Sequence, residues 1–330
     1  VWGLRAEYYK YEETNNGSNA PKAGAYGDFD LPADKAWQSL PSANLTYSPL
    51  ASLNIRAAYS STVVRPEMMD NSQFFRYSAF YDGLVGSAGI SSTRIESWDF
   101  KAEWFPGLGE LLSIGGYYKY FDKPAEMIAM ETLDFGFRYT LKNSNWARVY
   151  GLELEARKNL GFIADASLLR HLTVSGNLTY QQSRVEGLYM TNENDPGTGK
   201  PIMASMKQKR ALYGQAPYLL NAGLQYQDDK LGVNIVYNKS GRKTYFVTNS
   251  PANTEYEQPR EQLDAQISYR FLQSRIEFKL NGGNLLNAAS VFYNNRGSYE
   301  ANPDFQGGTL DFSDAQRLKP GFTDNYEEGD

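Results

Sequence analysis

Few residues in this chain have the type and spacing that acid–base or nucleophilic chemistry needs. His171 is the one histidine among 330 residues, and cysteine is absent. A thiolate metal site, a cysteine nucleophile and a disulfide scaffold are therefore excluded together. A metal or triad role for His171 requires partners at recognisable spacing. None is present, and the residue reads as a solvated turn residue opening a strand. Glu153 and Glu155 share one face of an alternating segment, as a glycosidase pair would. Arg157 follows on the same face, and the three read as a row of solvated charge. Thr191–Gly199 (TNENDPGTG) is rich in oxygen ligands, but it lacks the regular ligand positions and closing glutamate of an EF-hand. It reads as exposed loop. No catalytic residue, metal or cofactor is expected.

The chemistry that the chain does offer is recognition. The run FFRYSAFYDGLVG (Phe74–Gly86) sets Phe74, Phe75, Tyr77, Phe80 and Tyr81 in one connection, with Arg76 among them. Exposed aromatic clusters of this kind mark binding surfaces. The rings offer stacking faces, and the guanidinium suits a carboxylate or phosphate. These six residues are the candidate substrate-binding set, with packing between neighbouring connections as the plainer alternative. Lys207–Arg210 (KQKR) is a short basic run that suits an anionic surface or simply water. A net charge of −5, without a clustered basic face, excludes a nucleic-acid footprint.

What positions these residues is a series of strands. Apolar and polar residues alternate with period two along most of the chain. Trp2, Leu4, Ala6 and Tyr8 oppose Arg5 and Glu7; Leu53, Ile55, Ala57 and Tyr59 oppose Asn54 and Arg56. Trp98, Phe100, Ala102 and Trp104 oppose Asp99, Lys101 and Glu103. The pattern predicts about eleven strands, each of the length that a tilted membrane strand needs. No window of about 18 apolar residues supplies a membrane helix. The mean hydropathy of −0.56 does not argue against a membrane, because a barrel strand is apolar on one face only. Tyrosine is abundant, 25 against 17 Phe and 5 Trp, as suits rings at an apolar–water boundary. On composition alone a Tyr-rich soluble sandwich fits as well.

The connections separate these two folds. Short ones fall at Ser48–Ser52, Phe105–Gly109, Asp228–Lys230 and Phe271–Ser274, with a medium one near Gly161–Arg170. Long ones fall between them, at Glu12–Ala36, Arg65–Arg94, Asp122–Asn145, Glu186–Ala216 and Phe246–Glu261. Sorting by length is the habit of outer-membrane barrels; a Greek-key sandwich has no reason for it. The expected fold is all-β, an antiparallel up-and-down transmembrane β-barrel with sequence neighbours paired and no long helix. Leu45, Tyr47, Ile55, Tyr59, Trp98, Phe100, Leu152, Leu154, Leu178, Leu224, Ile235, Ile267 and Phe278 are expected to face lipid. Asn44, Arg56, Lys101, Glu153, Glu155, Asn177, Gln225 and Lys279 are expected to face the lumen.

Five runs resemble the carboxy-terminal barrel of TonB-dependent outer-membrane receptors, particularly of the Bacteroidetes type. They are LPSANLTYSPLASLNIRAAYSSTVVRPE (Leu40–Glu67), EWFPGLGELLSIGGYYK (Glu103–Lys119), YGLELEARKNL (Tyr150–Leu160), GQAPYLLNAGLQY (Gly214–Tyr226) and LNGGNLLN (Leu280–Asn287). The resemblance implies a barrel of about 22 strands, of which this chain holds about half. It also implies an outer-membrane active importer of a bulky nutrient, powered by the TonB energy-coupling complex through a plug domain. Residues 1–330 are then the carboxy-terminal part of the barrel. The plug, the first strands and the closing strand, which the family ends on an aromatic residue, are expected outside this sequence. Outer-membrane lipid and lipopolysaccharide are the expected surroundings, and a surface lipoprotein is an admissible partner. A passive porin and a surface-exposed β-rich binding protein are the rival readings; neither they nor the importer is an enzyme.

Overall fold

The computed structural model describes residues 1–9, 37–67, 70, 76–78, 83–87, 90–132, 136–164, 166–194, 201–208, 211–248, 254–295, 297, 299–301 and 316–319. Eleven strands form one antiparallel sheet in chain order. They are β1 (Trp2–Tyr8), β2 (Trp37–Leu50), β3 (Leu53–Val64), β4 (Thr93–Trp104), β5 (Leu111–Asp122) and β6 (Trp146–Asn159). Then follow β7 (Leu172–Asn194), β8 (Tyr218–Gln227), β9 (Leu231–Ser240), β10 (Arg260–Phe271) and β11 (Ile276–Gly282). Each strand pairs with its sequence neighbours, as an up-and-down wall requires, and the order is open at β1 and β11. The Pro201–Gln208 strand pairs only with the outer part of β7, so that hairpin runs on past the wall.

Because side chains alternate across a strand, register fixes which residues share a face. One row reads Tyr47, Ile55, Ala102, Ile114, Leu154 and Leu178 across β2 to β7. The row beside it reads Thr46, Arg56, Lys101, Gly115, Glu153 and Thr179. Leu45, Phe100 and Phe278 are 68%, 58% and 60% exposed, whereas Glu103, Ser113 and Ser268 on the polar face are each under a tenth exposed. The large apolar side chains of one face stand open, the reverse of a soluble sheet, while the polar face mixes buried and exposed side chains. A wall with this pattern curves around its polar side.

Two bands of rings border the apolar face. Tyr59, Trp98, Tyr118 and Tyr150 are direct cross-strand neighbours toward the long-connection end. Their rings touch, at 5.3 Å between Tyr59 and Trp98 and 5.5 Å between Trp98 and Tyr118. Trp104, Tyr226 and Tyr269 occupy the same face toward the short-turn end. Trp98 and Trp104 lie on one strand, about 20 Å apart at the strand rise. With a strand tilt of about 35–45° that is about 15 Å of height, which fits within the apolar band of an outer-membrane barrel, about 25 Å tall.

The short turns are locally determined. Asp228 accepts hydrogen bonds from the Leu231 and Lys230 amides at 2.7 and 2.8 Å and from the Tyr226 hydroxyl at 2.7 Å. The Leu231 amide first, then the Tyr226 hydroxyl, hold its carboxyl down at about 2. A depressed carboxyl contributes stability above its unfolded pKa, about 4, and loses it as pH falls toward the folded value. Asp228→Asn is therefore expected to lose less thermal midpoint than the unsubstituted protein as pH falls from about 4 to about 2, where other carboxyls still titrate in both. The unsubstituted protein should lose midpoint between about pH 4 and about 2; equal acid sensitivity in both would remove the turn from the account.

The connection after β6 is a short 3-10 turn (Leu160–Phe162) and a one-turn helix (Ser167–Arg170). Among the described residues no helix is long and apolar enough to cross a membrane, which says nothing about crossing by strands. The long connections also form sheet, and pairing outside the wall is not all antiparallel. Arg76–Ser78, Gly83–Ser87, Gly136–Asn143 and Ala125–Thr132 form a separate four-stranded sheet. Its central pair, Leu84 to Ser87 with Arg138 to Leu141, is parallel. Different connections meet there side by side, and no tight turn forces them antiparallel.

Candidate functional site

Two surfaces qualify as functional: the polar face of the wall and the body built by the long connections. On the wall, Arg56 Nε lies 2.9 Å from Glu103 Oε2, and Lys101 Nζ reaches both Glu103 and Glu155 at 3.4 Å. The partner of Glu155 is thus Lys101 from β4, two strands away, and not Arg157 on its own strand. Gly115 makes that reach possible. It stands opposite Lys101 on β5, where a Cβ would meet the Phe100 carbonyl at 3.3 Å and Lys101 Cγ at 3.4 Å.

A second glycine does the same for a ring. Tyr117 on β5 lies across Gly151 of β6 and donates from its hydroxyl to Gln181 Oε1 on β7. Gln181 in turn donates to the Ala216 carbonyl at 2.8 Å, fixing the approach to β8. A Cβ at Gly151 would fall 2.5 Å from Tyr117 Cζ, so the ring must swing away. Tyr117→Phe should cost about 0.5–1.5 kcal/mol in the normal background, the usual worth of one hydrogen bond. In a Gly151→Ala background it should cost close to nothing, and a double-mutant cycle on thermal stability checks this. Additive costs would show that the ring does not depend on the gap.

Charge is unevenly shared along the wall. On the polar faces of β3 to β6, Arg56, Lys101, Lys119 and Arg157 balance Asp99, Glu103, Glu153 and Glu155. On β7 to β9 the polar face carries no charge at all within the paired wall. Amides stand there in lines, with Asn177, Asn221, Asn238 and Gln262 directly opposite one another. Asn221 donates to Asn177 at 2.6 Å.

The connections form the one packed core found among the described residues. Val85, Met127, Tyr139 and Phe246 are buried together, with Leu141, Tyr213 and Tyr245 against them. These come from the β3–β4, β5–β6, β7–β8 and β9–β10 connections. Val247 donates to the Met127 carbonyl at 3.0 Å, and Gly214 to the Thr244 carbonyl at 3.0 Å. Glu126 is 1% exposed and accepts from Ser144 Oγ at 2.5 Å and the Tyr213 amide at 3.2 Å. Burial also pushes the Lys142 ammonium down to about 8 and the Glu255 carboxyl up.

Of the candidate binding set, Arg76 and Tyr77 lie on the edge strand of this body, and Tyr77 is 63% exposed. Phe74, Phe75, Phe80 and Tyr81 lie outside the described residues, as does part of the Thr191–Gly199 loop and of Lys207–Arg210. His171 is an exposed turn residue whose Nδ1 lies 3.0 Å from the Gln227 carbonyl, linking two neighbouring short connections. Among the described residues no three acidic or histidine side chains stand together as a metal would need. Sequence reading missed Tyr117 with Gly151, and the core of the connections; a glycine inside each alternating strand was the available signal for the former.

Residues 2–288 match the model of a family described as TonB-dependent receptor-like, beta-barrel. No curated protein matches the chain. Among solved structures the chain is similar to the copper transporter OprC, at 14% identity and a TM-score of 0.51 over 76% of this chain and 34% of that one. It is also similar to a mutant of the ferric enterobactin receptor PfeA of Pseudomonas aeruginosa, at 17% identity and 0.48 over 76% and 35%. A third is the siderophore receptor PirA of Pseudomonas aeruginosa, at 13% and 0.47 over 76% and 39%. The matched part spans little more than a third of these proteins.

Proposed function

The chain belongs to the TonB-dependent receptor-like β-barrel family, and from that premise we propose that it is the carboxy-terminal wall and loop set of an outer-membrane active importer of a bulky nutrient. The observation that carries this reading is the exposed apolar face held between two bands of rings, with the polar side chains on the opposite face. Such a wall is stable with lipid on one side and a polar passage on the other. In this reading energy comes from the TonB complex through a plug domain, and the protein is a transporter with no enzymatic step. The sequence runs quoted above favour the Bacteroidetes type.

Substrate is met by the long connections, because they alone form a variable surface above a wall of fixed geometry. The Phe74–Tyr81 segment supplies rings and one cation, through Phe74, Phe75, Arg76, Tyr77, Phe80 and Tyr81. The test uses the full-length gene in a deletion strain, with nutrient-dependent growth and uptake measured with and without an uncoupler. Uptake should be energy-dependent, and Phe75→Ala, Arg76→Ala and Tyr77→Ala together should weaken it while leaving barrel insertion intact. Uptake indifferent to the uncoupler would favour a passive porin. An unchanged triple variant would mean that the segment is packing and not recognition.

A further inference from the structure

At the long-connection end of the wall, just beyond the band of rings, two arginines face each other on the apolar side. Arg148 of β6 stands directly opposite Arg184 of β7, in a row that continues through Tyr120 of β5 and Glu96 of β4. The next row toward the middle of the wall holds Tyr150, Tyr118 and Trp98. Ala147, Val149, Ser183 and Val185, which alternate with the arginines along the two strands, are buried. The arginines therefore turn the other way, and both are exposed. Arg148 rests over the Trp146 ring, 4.8 Å from its centroid. Among the described residues neither guanidinium has an ion pair or a hydrogen bond. The carboxylates at this level are engaged elsewhere. Glu96 lies 3.6 Å from Arg94, and Glu186 accepts from the Asn145 side-chain amide and the Trp146 indole at 3.1 Å each. Asp122 stands between Arg94 and Trp146 in register. Lys207, the first residue of the basic run, falls opposite Glu186.

We propose that Arg148 and Arg184 together clamp the phosphate of an outer-leaflet lipid; the proposal rests on the membrane-wall reading above and not on what is transported. Like charges directly opposite in a ladder repel, so a pair without a carboxylate is a cost that a bound anion removes. The height is right for a headgroup. Two residues beyond the rings along a tilted strand is about 5 Å, and the headgroup layer adds about 5–7 Å on each side of the hydrocarbon. The reach is right as well. The two Cβ atoms are about 5 Å apart, so two guanidinium forks can converge on one phosphate, each with two hydrogen bonds. Below them the exposed Tyr150 and Leu152 continue the apolar face, where the acyl chains of the same lipid would lie. Free phosphate has no tail and gains nothing from that face.

The experiment uses the full-length protein, purified in an uncharged detergent. The probes are diphosphoryl lipid A, its chemically dephosphorylated form and sodium phosphate, with bound lipid counted by native mass spectrometry and the thermal midpoint read alongside. Diphosphoryl lipid A should bind and raise the midpoint. The dephosphorylated form should bind at least about tenfold more weakly, and sodium phosphate at the same concentration should not protect. Arg148→Gln with Arg184→Gln should lower the affinity for diphosphoryl lipid A by about tenfold. Lys239→Gln, which removes a cation of the same face already paired with Glu261 at 2.8 Å, should leave it unchanged. Should the glutamine pair fail to assemble, Arg148→Lys with Arg184→Lys keeps the charge and loses the fork, and it should weaken binding several-fold. Protection by sodium phosphate alone, equal binding of the dephosphorylated lipid, or an affinity that ignores these arginines or falls as much in Lys239→Gln overturns the inference and leaves the membrane wall standing. An unsubstituted protein that enters no lipid vesicle counts against the wall itself.

Discussion

Arginine in place of Leu154 destabilises the wall in a bilayer by about 2–4 kcal/mol, while arginine in place of Asn177 costs a few tenths. That is the result expected from the two faces. Leu154 sits between Ile114 and Leu178 on the open apolar side, well inside the two bands of rings. A guanidinium there must leave water or drag water in with it. Asn177 occupies the opposite face, among amides and hydroxyls that stay wet. Folding of the full-length protein into lipid vesicles, followed against denaturant, measures both. Equal costs at the two positions would mean that the sheet is not a membrane wall.

The second large effect is expected away from the membrane. Phe246 is 2% exposed and packs edge-on against Tyr139, with ring centroids 5.0 Å apart. Phe246→Ala should cost the connection body about 3–5 kcal/mol, the range for emptying a packed aromatic site. The loss should not stay in its own Lys243–Phe246 strand. Hydrogen exchange should rise together at Gly83–Ser87 and Gly136–Asn143, because both strands share the core that Phe246 fills. The amides of β4 to β6 should keep their protection. Faster exchange confined to residues 243–246 would show that the connections are independent loops.

The wall was legible in the sequence and the connection body was not, for a physical reason. In β4 or β6 every second residue reports the same environment, so a dozen residues repeat one message, and the turns between strands are set by near neighbours such as Asp228 and Leu231. The body draws one or two buried residues from each of several distant segments. Val85 in VG, Met127 in EMI and Phe246 in YFV carry no period, and their strands run three to eight residues. Parallel pairing of Leu84 with Arg138 has no local signature either. The aromatic segment at Phe74–Tyr81 was visible by composition, but the place of Arg76–Ser78 as a strand beside Gly83–Ser87 was not. The ion pair from Lys101 to Glu155 needed register, because sequence alone offered Arg157 as the nearer cation.

Interlocking of the connections also sets an order of events. Each wall hairpin can form from its own stretch of chain, but the parallel pair needs the β3–β4 and β5–β6 connections already side by side. The Ile128–Val247 bridge further needs β9 in place. Contacts so distant in sequence form slowly, because the chain must close large loops before they are rewarded. A newly assembled barrel is therefore expected to complete its wall before the body of connections closes. Surface protease added between the two steps should cut connections that the mature protein shields, which makes cleavage a clock for maturation.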